Sequence, residues 1–356
     1  MKGLEAVSQT IKETIRHQTW LLLKIAPLIA FSIPLLWLYL LEPLTFELMW
    51  KGRTFELFFI WLISLELILS WEDLRENKIR KLISPRTAVF GTTLALPALY
   101  VAASHYLGLN EAIFTWSTQN GITWANNMSL STEYLVFTAT FLAIILLSFG
   151  LKGLKIFAVP TFFLLLVGAI YMIDNIYPYG QFAPFQVFVP TTTALATAIL
   201  NIMGYTTNLS YEQSNIQGKM PVLTTINPAT SASATFSIAW PCAGIESFLI
   251  FTVVLLLFLK RMPISLKGKI GYFSLGAAVT YVINALRIVN IFSAGMVYGE
   301  NSVQVQDIHF YYGPLYAVAW IISYPLLILG SQRLWHRSRK PKQPAIESQL
   351  LSLDPA

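Results

Sequence analysis

Charge is what this sequence has least of. Lys, Arg, Asp and Glu make up 12% of its 356 residues, while 55% are hydrophobic. An ordinary soluble domain carries about twice that charged share, so a water-soluble globular fold is excluded. Cysteine is nearly absent: Cys242 stands alone, which rules out an intramolecular disulfide framework. Histidine occurs four times, as His17, His105, His309 and His336. No metal-ligand spacing and no cofactor motif emerges, so neither a metal nor a cofactor is expected. Internal repeats are lacking as well. The start of the chain also lacks the pattern of a cleavable signal peptide. It opens on a mixed-charge stretch, and its first apolar run is too long and has no small-residue cleavage site.

What remains is a set of long apolar runs, each able to supply the roughly 20 residues needed to cross about 30 Å of hydrocarbon. The net charge of +6 is no footprint of a nucleic-acid partner, because its distribution follows the runs. Lys and Arg mark cytoplasmic loops. Spans are predicted near Trp20–Leu41, Phe55–Trp71, Thr87–Leu109, Tyr134–Gly150, Ile156–Ile173, Cys242–Leu259, Ile270–Tyr298 and Phe310–Leu334. Arg75, Lys78, Arg80, Lys81 and Arg86 follow the second span, and Lys152 and Lys155 follow the fourth. Both sets are placed inside. Asn110–Glu133 has no Lys or Arg and is placed outside.

Val187–Met203 decides the topology. It is apolar, rich in Thr and Ala, and only 17 residues long. It is predicted to lie in the outer interface as an amphipathic helix. The Thr-, Asn- and Ser-rich Tyr205–Trp240 that follows reads as a hairpin or small extracellular cap. If Val187–Met203 spanned instead, Lys260, Arg261, Lys267, Lys269 and the five basic residues Arg333, Arg337, Arg339, Lys340 and Lys342 would all lie outside. These nine positive charges favour eight spans with both termini cytoplasmic. The predicted fold class is an all-α integral membrane protein of about eight transmembrane helices, with an extracellular interfacial helix and hairpin cap. Its regions are 1–173 (five spans), 174–240 (interfacial helix and cap), 241–340 (three-span core) and 341–356 (disordered cytoplasmic tail). The sequons at Asn127 and Asn208 fall on the predicted outer side.

Three residues then reach one level of one face. Cys242 follows Pro241, which suits the first position of a helix. It is therefore predicted in the first helical turn, where free N–H groups and the helix dipole favour a thiolate. Taken alone, a cysteine there is a small buried apolar residue. Arg287, in Asn284-Ala285-Leu286-Arg287, lies 17 residues after Ile270, about 26 Å along the helix. An intramembrane arginine is costly and usually paired; snorkelling to headgroups is the plain alternative. His309 precedes the last span, and His105 is its rival at the outer end of the third. A thiolate nucleophile needs a proton-transfer partner, for which histidine is suited near neutral pH. Acyl transfer needs a cation or donors at the developing oxyanion, which arginine supplies. Glu246, one turn after Cys242, could orient Arg287 or His309, or neutralise Arg287.

At these segments the sequence resembles the exosortase/archaeosortase family of membrane transpeptidases. That family has a Cys motif of the form Ala-Cys-Ser/Thr-Gly, an Asn-x-x-Arg motif, and a single His or Arg before the last helix. Here they read Pro241-Cys242-Ala243-Gly244, Asn284-Ala285-Leu286-Arg287 and His309. Pro241 and Ala243 depart from the usual small residue and hydroxyl residue. The histidine in the third position resembles exosortases and several archaeal branches, and points to a thaumarchaeosortase-like member. The resemblance implies that Cys242 is the nucleophile, Arg287 the oxyanion or thiolate stabiliser and His309 the general acid/base, with Glu246 and Asn284 in support. It implies as substrates exported proteins whose C-terminus carries a short motif, a hydrophobic helix and a basic tail. Cleavage at the outer face would go through a thioester to an acceptor, a lipid. Two other classes are weighed. In a transporter or channel Arg287 would be a substrate or gating charge, but no inverted repeat or broken helix pair is present. In a membrane scaffold Cys242 would only pack.

Overall fold

A computed structural model describes residues 24–48, 51–76, 85–177, 186–214 and 218–338. The predicted disordered tail 341–356, the basic residues ahead of the first span and most of the basic stretch after the second lie outside the described residues. In chain order the helices are α1 (Lys24–Leu41), α2 (Thr54–Leu69), α3 (Pro85–Tyr106), α4 (Leu109–Gln119), α5 (Met128–Ile156), α6 (Ala158–Ile176) and α7 (Phe188–Ile202). Three strands follow: β1 (Thr206–Ser214), β2 (Gly218–Ile226) and β3 (Ser233–Ser237). Then come α8 (Ile245–Arg261), α9 (Leu266–Tyr298), α10 (Val303–Asp307) and α11 (Gly313–Ser338).

Among the described residues six helical segments are long and apolar enough to cross a membrane: α1, most of α3, α5 with the turn before it, α6, α9 and the continuous stretch Val303–Leu334. This is a multi-pass, all-α membrane protein. Helices α2 and α8 have 16 and 17 residues, roughly 24–26 Å of rise, and fall just short of that length. Large apolar side chains stand on outward faces, Leu36 and Leu40 on α1 and Ile322 and Leu326 on α11, as lipid contact requires. Helix α5 is interrupted at Gly150, whose φ of 65° is closed to most other residues. The apolar run ends there, and Lys152 and Lys155 follow.

The chain divides into two compact units. The first comprises Met1–Thr197, Thr206–Thr224 and Thr235–Ala243; the second comprises Ala198–Tyr205, Thr225–Ala234 and Gly244–Ala356. In the first, Phe31 meets Phe59, Phe137 and Phe141 edge to face at centroid distances of 5.4, 5.4 and 5.6 Å. Such pairs add about 0.5–1.5 kcal/mol each beyond burial. Gly168 on α6 lets that helix approach α5, since a Cβ there would come within 2.9 Å of Tyr134 Cβ. In the second unit, Phe251, Leu255 and Leu259 of α8 pack with Ile321, Tyr324 and Ile328 of α11. Gly276 of α9 admits them: an added Cβ would meet Tyr324 and Phe251 at 2.4 and 2.5 Å. Tyr324 donates its hydroxyl to the Tyr272 carbonyl at 2.6 Å, and Trp320 Nε1 donates to Thr280 Oγ1 at 3.1 Å.

The segment read as a hairpin cap forms a three-stranded sheet of order β1-β2-β3. Strands β2 and β3 are joined by a turn in which Asn227 N–H donates to the Ala232 carbonyl at 2.8 Å. The segment Asn110–Glu133, expected only as an outer loop, contains α4 as well.

Candidate functional site

Cys242 is half-buried and lies in a short 3-10 turn, Trp240–Ala243. This corrects the expected start of the span: α8 begins at Ile245, and Cys242 is not in its first turn. The cause is Gly244. Its φ of 90° places it in the left-handed region, open to glycine at no steric cost. A Cβ on Gly244 would lie 2.5 Å from Asn284 Cγ, so glycine lets the start of α8 sit directly on the Asn284 side chain. The break separates Cys242 from the α8 dipole. It also removes the helical spacing that put Glu246 on the same face as Cys242.

Trp240, two residues before Cys242, is fully buried, and its indole Nε1–H donates to Asp174 Oδ1 at 2.9 Å. Asp174 ends α6 and forms an ion pair with Lys51 at 2.7 Å. Neither Asp174 nor Lys51 belongs to a sequence motif, and each alone is an ordinary charge at the end of an apolar run. Burial lowers the Lys51 pKa from its ordinary value, and Asp174 opposes that shift.

In the second unit two of the predicted residues, Arg287 and His309, come together, while Cys242 belongs to the first unit. Arg287, on α9, donates from Nη2 to the backbone carbonyl of His309 at 2.8 Å. Its shaft crosses Gly313, where a Cβ would lie 2.6 Å from Arg287 Nε and 2.8 Å from Cδ. Arg287 Nε is buried and has no hydrogen-bond partner among the described residues. His309 is half-buried, in a π-helical turn, Ile308–Tyr312, and its ring stacks on Phe310 at 4.4 Å. The expected loop is thus a wide helical turn between α10 and α11, a geometry found frequently at functional sites. Asn284 is buried one turn before Arg287. Glu246, in the first turn of α8, has a buried Oε1 without a hydrogen-bond partner among the described residues.

His105 has a different occupation. Its Nε2 lies 3.0 Å from Glu42 Oε1 and its Nδ1 3.2 Å from the Val101 carbonyl. Glu42 also pairs with Arg53, which meets Glu133 through two parallel bonds of 2.6 and 3.1 Å. This network joins α2, α3, α5 and the turn after α1, and accounts for His105 as a fold-holding residue. The available signal for it was the carboxylates Glu56 and Glu133 within or beside apolar runs. Among the described residues, no cluster of three or more His, Cys, Asp or Glu side chains suited to a metal ion occurs.

A family model described as Transmembrane exosortase (Exosortase_EpsH) matches residues 49–327. The match takes in the second span, Asp174, Cys242, Asn284, Arg287 and His309. The chain belongs to this family of membrane-embedded proteins. No curated protein and no solved structure matches it.

Proposed function

We propose that the protein is a cysteine transpeptidase, sortase-like in chemistry, that cleaves C-terminal sorting signals of exported proteins and passes them to a lipid acceptor. One observation carries this reading furthest: the Arg287 guanidinium holds the His309 carbonyl, so that two motifs of a family member, 22 residues apart, are physically tied. Motif order and the Gly244–Asn284 fit support the third member, Cys242.

Cys242 Sγ attacks the scissile carbonyl and the C–N bond breaks to leave a thioester. His309 takes the Cys242 thiol proton and delivers it to the departing amine, then takes one from the acceptor hydroxyl or amine as that group attacks the thioester and returns it to the departing Sγ, restoring the thiol. Arg287 faces the developing oxyanion with the donor its backbone contact leaves open. Ala243 has no hydroxyl to offer, which places more of that task on arginine. Glu246 and Asn284 support the guanidinium from α8 and α9. The substrate is an exported protein ending in motif, hydrophobic helix and basic tail, and a membrane lipid is the acceptor.

The arrangement in the membrane belongs to the same reading. Eight spans, counting α2 and α8, put both termini in the cytoplasm of a cell-membrane protein and the site at the outer face. The interfacial helix α7 and the sheet belong to the outer segment 174–240, between the five-span region 1–173 and the catalytic region 241–340. The histidine at 309 supports a thaumarchaeosortase-like subtype. In Cys242→Ala, followed by gel shift of a coexpressed signal-bearing substrate, processing is expected to fall below about 1% of wild type, because no other thiol can replace the nucleophile. Processing near the wild-type rate by well-inserted protein would overturn the cysteine mechanism.

A further inference from the structure

The reading above leaves the Lys51–Asp174–Trp240 chain without a role. Asp174 is buried at the end of α6, with 1% of its side chain exposed, and each oxygen has an assigned partner. Oδ2 pairs with Lys51 Nζ, and Oδ1 accepts the Trp240 indole N–H. Lys51 is fixed in turn: its ammonium lies 4.4 Å over the Trp124 ring, and its backbone has a φ of 50°. A left-handed backbone at a residue with a long side chain is uncommon and signals that its surroundings over-determine it. The α6 end is also tied to the start of α5, where Asn175 Nδ2 donates to the Asn127 carbonyl at 2.9 Å and to Ser131 Oγ at 3.2 Å. The 3-10 turn that carries Cys242 begins at Trp240, the residue Asp174 grips. It ends at Gly244, whose left-handed conformation separates it from α8. A four-residue turn has no regular helix to define its side-chain directions, so an external anchor sets them.

We propose that Asp174, held by Lys51, is a positioning residue for the nucleophile: through the Trp240 indole it fixes the turn that aims Cys242. This rests on Cys242 being the nucleophile. Asp174 never touches the substrate in this scheme. Its carboxyl group is needed as an acceptor for the indole, and Lys51 is needed to hold the other oxygen in place.

Cys242 is the only cysteine, so a maleimide reports on this turn independently of any substrate. The test uses the full-length protein in membranes with Trp240→Phe, Asp174→Ala and Asp174→Asn. Maleimide alkylation rate is read beside kcat and KM for signal processing. Trp240→Phe keeps an aromatic ring but removes the N–H together with part of the buried indole volume, so it is read beside Asp174→Asn, which leaves Trp240 intact. Trp240→Phe is expected to lower kcat about tenfold or more with KM within about twofold, since small misplacement of a reacting atom is costly. Alkylation is expected to change by about threefold or more as the turn loosens. Asp174→Ala should show both effects more strongly, and Asp174→Asn, which retains an acceptor oxygen, should show them more weakly. Alkylation and kcat both within twofold of wild type in Trp240→Phe would overturn the anchor, whether or not the aspartate variants insert. Failure of the nucleophile reading looks different: alkylation of Cys242 would shift with these variants while Cys242→Ala went on processing substrate.

Discussion

In the first compact unit the Arg53 guanidinium is enclosed by carboxylates, bidentate to Glu133 and paired with Glu42, and Glu42 also engages His105. In the second, the Arg287 guanidinium donates to a backbone carbonyl, and its Nε is buried with no hydrogen-bond partner among the described residues. Both guanidinium groups have buried atoms, where an unpaired donor or charge is costly. Arg53 is therefore neutralised within the fold, while the Arg287 guanidinium meets a neutral carbonyl. Glu246 repeats the second pattern with an acceptor instead of a donor. Glu56 is the exception in the first unit, for both of its carboxylate oxygens are buried with no hydrogen-bond partner among the described residues.

That contrast can be broken at several points. The largest effect is expected at Arg287. Arg287→Lys removes the planar fork while keeping the charge, and processing should fall by roughly 100-fold or more, close to the loss in Arg287→Ala. Near-normal turnover in the lysine variant, measured on the same substrate, would mean that only charge is used. His309→Ala should lower processing by roughly 100-fold through loss of the proton shuttle. His105→Ala should lower it by less than about threefold, its effect appearing as a lower melting temperature. Reversal of these two would assign the catalytic base to the first unit and erase the distinction between the arginines. Gly313→Ala is the finest probe. Its Cβ would press on Arg287 Nε and Cδ and on the Ile308 carbonyl, and a shift of this kind is expected to lower kcat by about tenfold with the protein still inserted.

Much of the fold was legible because hydropathy is a local property. The fifth span was predicted at Ile156–Ile173 and α6 occupies Ala158–Ile176; the seventh was predicted at Ile270–Tyr298 and α9 occupies Leu266–Tyr298. The start of α8 was missed because the need for a left-handed residue at Gly244 comes from Asn284, 40 residues onward, and no local signal announces it. Pro241 gave a helix-start signal that tertiary packing overrode. At the site, Arg287 and His309 were legible as chemistry-bearing residues in an apolar setting. Their actual link was not, because it uses the backbone carbonyl of His309, a group every residue has. Asp174 and Lys51 escaped for a related reason: 123 residues separate them, and each alone looks like a loop charge.

Helix α9 has 33 residues, about 50 Å of rise, against roughly 30 Å of hydrocarbon. The surplus has to be taken up by tilt, by projection beyond the apolar layer, or by local thickening of the lipid. Arg287 rides in the later part of that helix, so its depth is not a property of the polypeptide alone. With the site at the outer face, as proposed, a thicker leaflet would draw the guanidinium toward acyl chains, and a thinner one would raise it among headgroups. Hydrophobic mismatch thereby gives the lipid composition of the host membrane a direct hold on how much water reaches this arginine.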